Sequence, residues 1–463
     1  MILKSLVLFC TLIISTGATV MASPAVNKIG DMIVDSKALN LGDMKYGKTR
    51  FSKKINGCSF QQDAMVTHAG YQYVGYYNGN RQVCIARRKL PLGIWEVIRF
   101  DDYTFKNNDA HNTISIGICP ANGTIHMAFD HHVNPLHYRV SETDAATNPE
   151  KTKWQVALFS PILSNLEKGK NIKVTYPRFW QTPAGALQFC YRQGGSGNGA
   201  RMVVDYDPKT NTWLNTRQID SSKGTYGKSR SRCSYPNGYT YGPKGNLHVT
   251  WVWREGAGSA NHDLMYVYSE DNGNTWLNNN GEELTGPATV SSPGITVVTI
   301  KEVYGLMNTH GQAVDSKGRI HTVIRHCDDE SLKAAGSKPG AVRFGPTAAQ
   351  RYYHYYRKSD GNWETRVLPG VAGDRPKVFI DEADNAYLIF RMASDLVIMG
   401  ARAATSWKDW DVMHTEKGPF INEMLGDLYR WKKSGILSVM VLESPKSYEP
   451  TPLRIIDYEL RFK

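Results

Sequence analysis

One short pattern returns along the whole chain and fixes most of what it can fold into. Two alternating runs of aromatic, β-branched and other apolar residues flank a turn in HAGYQYVGYY (68–77), ANGTIHMAFD (121–130), PAGALQFCYR (183–192), PKGNLHVTWVWR (243–254), SKGRIHTVIR (316–325) and EADNAYLIFR (382–391), with a weaker copy in KSGILSVMV (433–441). Alternation with a period of two marks a half-buried strand, and the Gly, Asn and Asp residues between the runs close a hairpin. Each copy except the last is followed by a turn and a tryptophan expected to open an outer strand: Trp95, Trp154, Trp213, Trp276, Trp363 and Trp410. Helical periodicity is nearly absent. Seven copies, roughly sixty residues apart and each with room for four short strands, predict an all-β chain folded as a seven-bladed β-propeller of four-stranded antiparallel blades. The long gaps at 277–300 and 328–350 read as loop insertions in the fourth and fifth units.

The ends and the charge set the context. MILKSLVLFCTLIISTGATVMA carries Lys4, an apolar run too short to span a bilayer and a small-residue Val20-Met21-Ala22 site. Residues 1–22 are therefore expected to be a secretory signal and 23–463 a single propeller, secreted to the extracellular space or the periplasm. No Pro/Ser linker divides the remainder. Cys58, Cys84, Cys119, Cys190, Cys233 and Cys327 are too few for a disulfide scaffold of this length. The net charge of +12 is dispersed along the chain. In an exported protein such a field suits an anionic polysaccharide rather than nucleic acid or a membrane. No organic cofactor is indicated, and a monomer is expected.

Propeller geometry locates the chemistry. Residues just before the first strand of each blade and just after the second converge on one face around the axis. That rule collects His111, Asn112, His131 and His132 from blade two, with Tyr176, Arg178, Arg192 and Gln193 from blade three. Blade four adds Cys233, Tyr235, Arg254 and Glu255, blade five Asn308, His310, His326 and Cys327, and blade six Arg375 and Arg391. Acidic residues look scarce there, and the opposite turns are mostly Gly, Asn, Lys and Pro. Imidazole, phenol and guanidinium together suit β-elimination from a uronic acid. Arginine neutralises the carboxylate, an imidazole takes the C5 proton, and a tyrosine serves the leaving centre. Asn112, His132, Arg178, Tyr235 and Arg254 are the expected substrate-binding residues. Cys233, His310, His326 and Cys327 supply donors suited to a tetrahedral structural zinc ion, although their spacing is no recognised motif. His126 and His137 have flanks suited to strand packing and read as structural.

Two resemblances sharpen this. Ser269-Glu270-Asp271-Asn272-Gly273-Asn274-Thr275-Trp276 resembles the Asp-box turn of sialidase-type propellers, a structural turn that says little about chemistry. HNTISIG, GTIHMAFDHHVNPLHYRVS, TYPRF and FCYRQG together resemble the BNR-repeat propellers that include ulvan lyases, closest to polysaccharide lyase family 25 and next to family 24. The resemblance implies endolytic β-elimination between sulfated rhamnose and glucuronate or iduronate in ulvan, leaving a 4,5-unsaturated uronate. It implies His111 and Tyr176 as the acid/base pair, Arg192 as the carboxylate neutraliser, His131 as its assistant, and a bound metal. Two rivals remain at this level. A sialidase-like hydrolase would need an arginine triad and an Arg-Ile-Pro entry, which IFRMAS (389–394) approaches without the proline. A non-catalytic sugar-binding propeller would repeat its binding residues from blade to blade, which this chain does not.

Overall fold

The computed structural model describes residues 24–43, 54–58, 64–340 and 344–462; the expected signal segment lies outside them. Seven antiparallel sheets follow one another along the chain. In the first six each copy of the repeat supplies the turn and the second strand of the inner hairpin, whereas in the seventh it supplies only the strand Ile436–Leu442, which a helix, Leu428–Ser434, separates from Leu425–Gly426. Blade one is built from Met65–His68, Tyr71–Tyr77, Gln82–Lys89 and Glu96–Thr104. Blades four, five and six repeat that four-stranded plan, beginning at Cys233, Gly311 and Lys377. Between the blades lie apolar clusters drawn from the alternating positions of facing sheets. Examples are Ile114, Ile116 and Ile118 packed with Tyr73, Val83 and Ile85, and Trp251 and Trp253 packed with Trp180 and Val203.

Blades two and three depart from the expected plan. Blade two keeps three strands, Ile114–Ile118, Ile125–Phe129 and Tyr138–Val140. The segment His132–Pro135 leaves it and pairs with the first strand of blade three, Lys173–Gln181, through Thr175↔His132 and Val174↔Asn134. Blade three thus has five strands.

The tryptophan rule holds where the outer strand follows at once. Trp95 and Trp410 immediately precede such strands, and Trp213 and Trp363 lie within them. Trp154 opens no strand, and Trp276 ends the Asp-box turn ahead of an insertion, so the outer strand of blade four comes only at Thr296–Val298. In that turn Asp271 accepts the amides of Asn274 (3.0 Å) and Thr275 (2.8 Å), and Ser269 Oγ accepts that of Gly273 (2.7 Å). In blade five the insertion contains the short helix Asp329–Ala334.

The ring is closed by the two ends of the described chain. Pro24–Ala38 lies antiparallel to Thr451–Phe462 as the outermost strand of blade seven, from Pro24↔Phe462 to Ala38↔Thr451. Blade seven is joined to blade one by buried polar groups. Asp457 accepts from Arg430 (2.7 Å), Ser438 (2.8 Å) and Arg88 (2.8 Å), while Asp427 accepts from Thr67 (2.6 Å) and Gln72 (2.9 Å). Asp427 also caps the helix Leu428–Ser434. Removing one partner of a buried ion pair leaves an uncompensated charge and costs about 3–5 kcal/mol. Asp457→Ala strands both Arg88 and Arg430, so a loss of that size is expected in denaturant unfolding; a change below about 1 kcal/mol would assign the closure to apolar packing alone.

Candidate active site

Blade two delivers its imidazoles through a turn and a twisted exit. Asp109 Oδ1 accepts the His111 backbone amide (3.0 Å), the two-residue closure typical of an aspartate turn. The same carboxylate then takes both rings: His111 Nδ1 lies 2.5 Å from Oδ1 and His132 Nδ1 lies 2.7 Å from Oδ2. The two imidazoles stack at 4.4 Å and 20°. Burial opposes ionisation of Asp109, but the hydrogen bonds from His111 and His132 hold its carboxyl well below the usual range. An ionised carboxylate only accepts, so both rings donate through Nδ1 and a neutral ring keeps its lone pair on Nε2. Burial lowers the proton affinity of His111, with Asp109 pulling the other way.

Blade three delivers the phenol through a bulge. Thr175 pairs with Arg192 and Arg178 with Cys190, so Tyr176 and Pro177 together oppose Tyr191. Tyr176 is held at φ 56°, a left-handed conformation that costs a non-glycine residue about 1–3 kcal/mol. Bulges re-aim side chains, and this one sets the Tyr176 ring 5.8 Å from His111 and 6.2 Å from His132. Burial, reinforced by Tyr235, holds its phenol far above the ordinary value against the pull of Arg192 and Arg254.

The Arg192 guanidinium lies 4.7 Å over the Tyr176 ring and donates to Tyr235 Oη (3.3 Å). Arg192 is only 3% exposed, and its buried Nε and Nη2 meet no acceptor among the described residues. Arg254 sits 4.5 Å over the Tyr235 ring, donating to Tyr235 Oη (3.0 Å) and Asn261 (3.0 Å). By contrast, Arg375 and Arg391 of blade six are neutralised by Glu423 and Asp374.

The remaining expected residues divide. Asn112 is buried and donates to Asp130 (2.5 Å), so it braces the turn. Arg178 lines a cavity with Trp180, Tyr239, Phe379 and Trp431, whose lining includes none of His111, Tyr176 or Arg192. His131 is fully buried, its Nε2 accepting the His137 amide (2.8 Å), so it supports the exit loop instead of facing a ligand. His126 is locked between Thr124 (2.7 Å) and Tyr138 (2.5 Å), as a structural histidine should be.

The expected zinc ligands are not gathered. Cys233 Sγ accepts the Gly197 amide (3.1 Å) and His310 Nε2 that of Arg325 (3.0 Å). His326 contacts Tyr355 Oη (3.0 Å), and Cys327 Sγ accepts from Gln350 (3.2 Å). A shared face sets the height of a residue, not the direction of its donor atom. Among the described residues, the one set of His, Cys and carboxylate donors close enough for a metal is Asp109, His111 and His132, within 4.8 Å of one another. Asp109 is also the central residue that the sequence reading missed. It lies two positions ahead of the first histidine, and only the Asp-x-His spacing of an aspartate turn signals it.

Fold and site together define a propeller whose mouth presents imidazole, phenol and unpaired guanidinium. The chain belongs to the BNR repeat-containing family, which matches residues 71–370. It is 26% identical over 388 residues to the long-isoform ulvan lyase of Pseudoalteromonas sp. (strain PLSV) and 28% identical over 384 residues to that of Alteromonas sp. (strain LOR). Each match covers 68% of this chain and 37% of the relative, so the chain matches little more than a third of those proteins' length. Among solved structures it resembles polysaccharide lyase Uly1 (TM-score 0.74, 18% identity, covering 93% of this chain and 99% of that one). It also resembles a PL25 ulvan lyase bound to -[GlcA(1-4)Rha3S]- (TM-score 0.62, 14% identity, covering 92% and 95%). These likenesses establish the seven-bladed fold.

Because the four donors are not gathered and each has another partner, Cys327→Ser should keep the wild-type metal content in elemental analysis. Loss of a stoichiometric ion in that variant would reinstate the Cys/His set.

Proposed function

We propose that the protein is an exported polysaccharide lyase that cleaves ulvan by β-elimination between sulfated rhamnose and a uronate. The observation that carries this reading is Arg192: a buried guanidinium with unmet donors and no carboxylate partner among the described residues, set against Tyr176. A buried cation lacking an anion is costly unless a ligand supplies one. The planar fork of arginine matches a uronate carboxylate in two hydrogen bonds. The ulvan lyases among its relatives support the substrate class.

The chemistry then follows from the neighbours. Arg192 withdraws charge from the carboxylate and acidifies the C5 hydrogen beside it. One member of the His111/Tyr176 pair takes that proton, the C4–C5 double bond forms, and the C4–O bond breaks. The bonding electrons leave with the oxygen, which is protonated by the other member. Asp109 keeps His111 in the tautomer whose Nε2 can accept. Stabilising charge where it develops, in a cleft already organised for it, is usually the largest contribution to such a step. Tyr235 and Arg254 extend the cationic wall on which the sugar lies.

A zinc ion, if the protein uses one, would be held by Asp109, His111 and His132, and His111 would then be a ligand in place of a proton acceptor. Two imidazoles and a carboxylate suit it, and bound there it would add positive charge near the substrate carboxylate.

Ultraviolet absorbance during incubation with ulvan should rise as the conjugated unsaturated uronate forms. A fall in viscosity without that rise would mean hydrolysis and overturn the proposal. His111→Ala and Tyr176→Phe should each lower kcat by about 10²–10⁴-fold with polymer binding retained; normal turnover in either removes that residue from the pair. Arg192→Ala should raise KM as well as lower kcat, because ground state and transition state both use the carboxylate contact.

A further inference from the structure

The rim of the cleft carries a second cationic element that the proposed elimination leaves unused. Residues 221–232, SSKGTYGKSRSR, run from the outer strand of blade three to Cys233 at the head of blade four. They cross the site face beside Arg192, whose Nη1 lies 3.8 Å from Cys233 Sγ. Lys223, Lys228 and Arg230 are exposed, three cations within eight residues. Among the described residues, the one carboxylate ion-paired to this loop is Glu255, which holds the buried Arg232 through two 2.8 Å bonds.

The loop is also held in shape. Tyr226 and Ser229 exchange backbone hydrogen bonds (3.2 and 2.9 Å) around a Gly227-Lys228 tip, with Gly227 at φ 54°. A Cβ at Gly227 would meet nothing within 4 Å, so the tip stands clear of the protein. The Tyr226 ring stacks on His262 at 3.9 Å and 18°. His262 is pinned by Glu255 (3.0 Å) and Asp263 (3.0 Å), and Arg230 donates to Thr225 (2.7 Å). Asp263, Glu302 and Glu255 are the carboxylates closest to Tyr226 in electrostatic effect, yet none pairs with the three exposed cations. Fixing three like charges on one short turn is unfavourable by itself, and a bound anion relieves it.

We propose that the 223–230 turn is a subsite for the sulfate ester of the sugar next to the scissile bond. This rests on the polysaccharide reading above and deepens it. A sulfated uronate polymer presents two kinds of anion. The planar carboxylate is matched by the buried fork of Arg192, and the tetrahedral, permanently charged sulfate by ammonium groups that approach from several sides. The turn leads into Cys233, at the head of the blade that neighbours Arg192 and carries Tyr235 and Arg254.

The test compares wild type with K223S/K228S/R230S by affinity electrophoresis and turnover on ulvan and on chemically desulfated ulvan. A control, K209S/K244S/K317S, removes three exposed lysines from turns on the opposite face. Three exposed charge contacts together change affinity by about tenfold. The expected result is a loss of that size on ulvan, little change on the desulfated polymer, and no effect of the control. Equal losses on both polymers, a loss in the control, or no loss at all would each overturn the subsite. Binding is read without turnover, so failure of the elimination chemistry itself would show separately, as absence of the ultraviolet product in wild type.

Discussion

Everything at the mouth of this propeller depends on the ring being closed by its own ends. The pairing of Pro24–Ala38 with Thr451–Phe462 converts seven sheets in a row into seven sheets around an axis. Only then do the heads of blades two, three and four lean toward a common centre. The closure is more than a strand pairing. Asp457 lies in the strand that receives the N-terminal segment, and it also binds Arg88 of blade one and Arg430 of blade seven. The same blade therefore fastens the chain ends and docks the first blade. Such buried ion pairs contribute little net stability while intact and much instability when broken, which makes the joint selective for one arrangement.

Within the ring, chemistry concentrates where the repeat is violated. His132–Pro135 leaves blade two to pair with blade three, carrying His132 toward Tyr176. Bulges at Tyr176-Pro177 and at Asn237 interrupt the first strands of blades three and four. Asp130, Val133, Tyr176 and Thr309, all near this face, sit at positive φ. Residues held in such conformations tend to gather where function requires a side chain that regular geometry would aim elsewhere. Blades five and six follow the regular plan more closely, and the blade-six arginines are neutralised by local carboxylates. The field of the mouth is thus lopsided toward blades three and four, where Arg192 and Arg254 rest on tyrosine rings instead.

What could be read from the sequence was what local rules govern. The turn and second strand of six inner hairpins were legible, because alternation and turn residues are properties of ten-residue windows; in blade seven the helix Leu428–Ser434 between the two strands was not. The face carrying His111, Tyr176, Arg192, Tyr235 and Arg254 followed from strand polarity alone. Long-range pairing was not legible: nothing in HVNP says that its partner is Lys173–Thr175, and nothing in residues 24–38 names a partner more than four hundred residues away. The zinc set failed for a related reason, since height on a face does not fix where Cys233 or His326 points. The apparent scarcity of acids was an effect of where the rule looked. Beside Glu255, which the rule did collect, Asp109 and Asp130 lie on this face, hydrogen-bonded to His111, His132 and Asn112.

The proposed elimination requires a base and a cation kept close together without neutralising each other's partners. Had Asp109 faced Arg192, the strong bidentate pair would have removed both the anchor of the imidazoles and the free guanidinium. Here the carboxylate is spent on His111 and His132, and the guanidinium on π faces and a phenol. Tyr176 touches both groups, 5.8 Å from the His111 ring and 4.7 Å from the Arg192 guanidinium. An aromatic face attracts a cation only weakly compared with a carboxylate, so it can hold Arg192 in place yet yield it to the carboxylate of the proposed substrate. The strained backbone at Tyr176 is what puts that face there. On this view the left-handed Tyr-Pro bulge is the element that lets one narrow cleft contain a proton acceptor and an unspent positive charge at once.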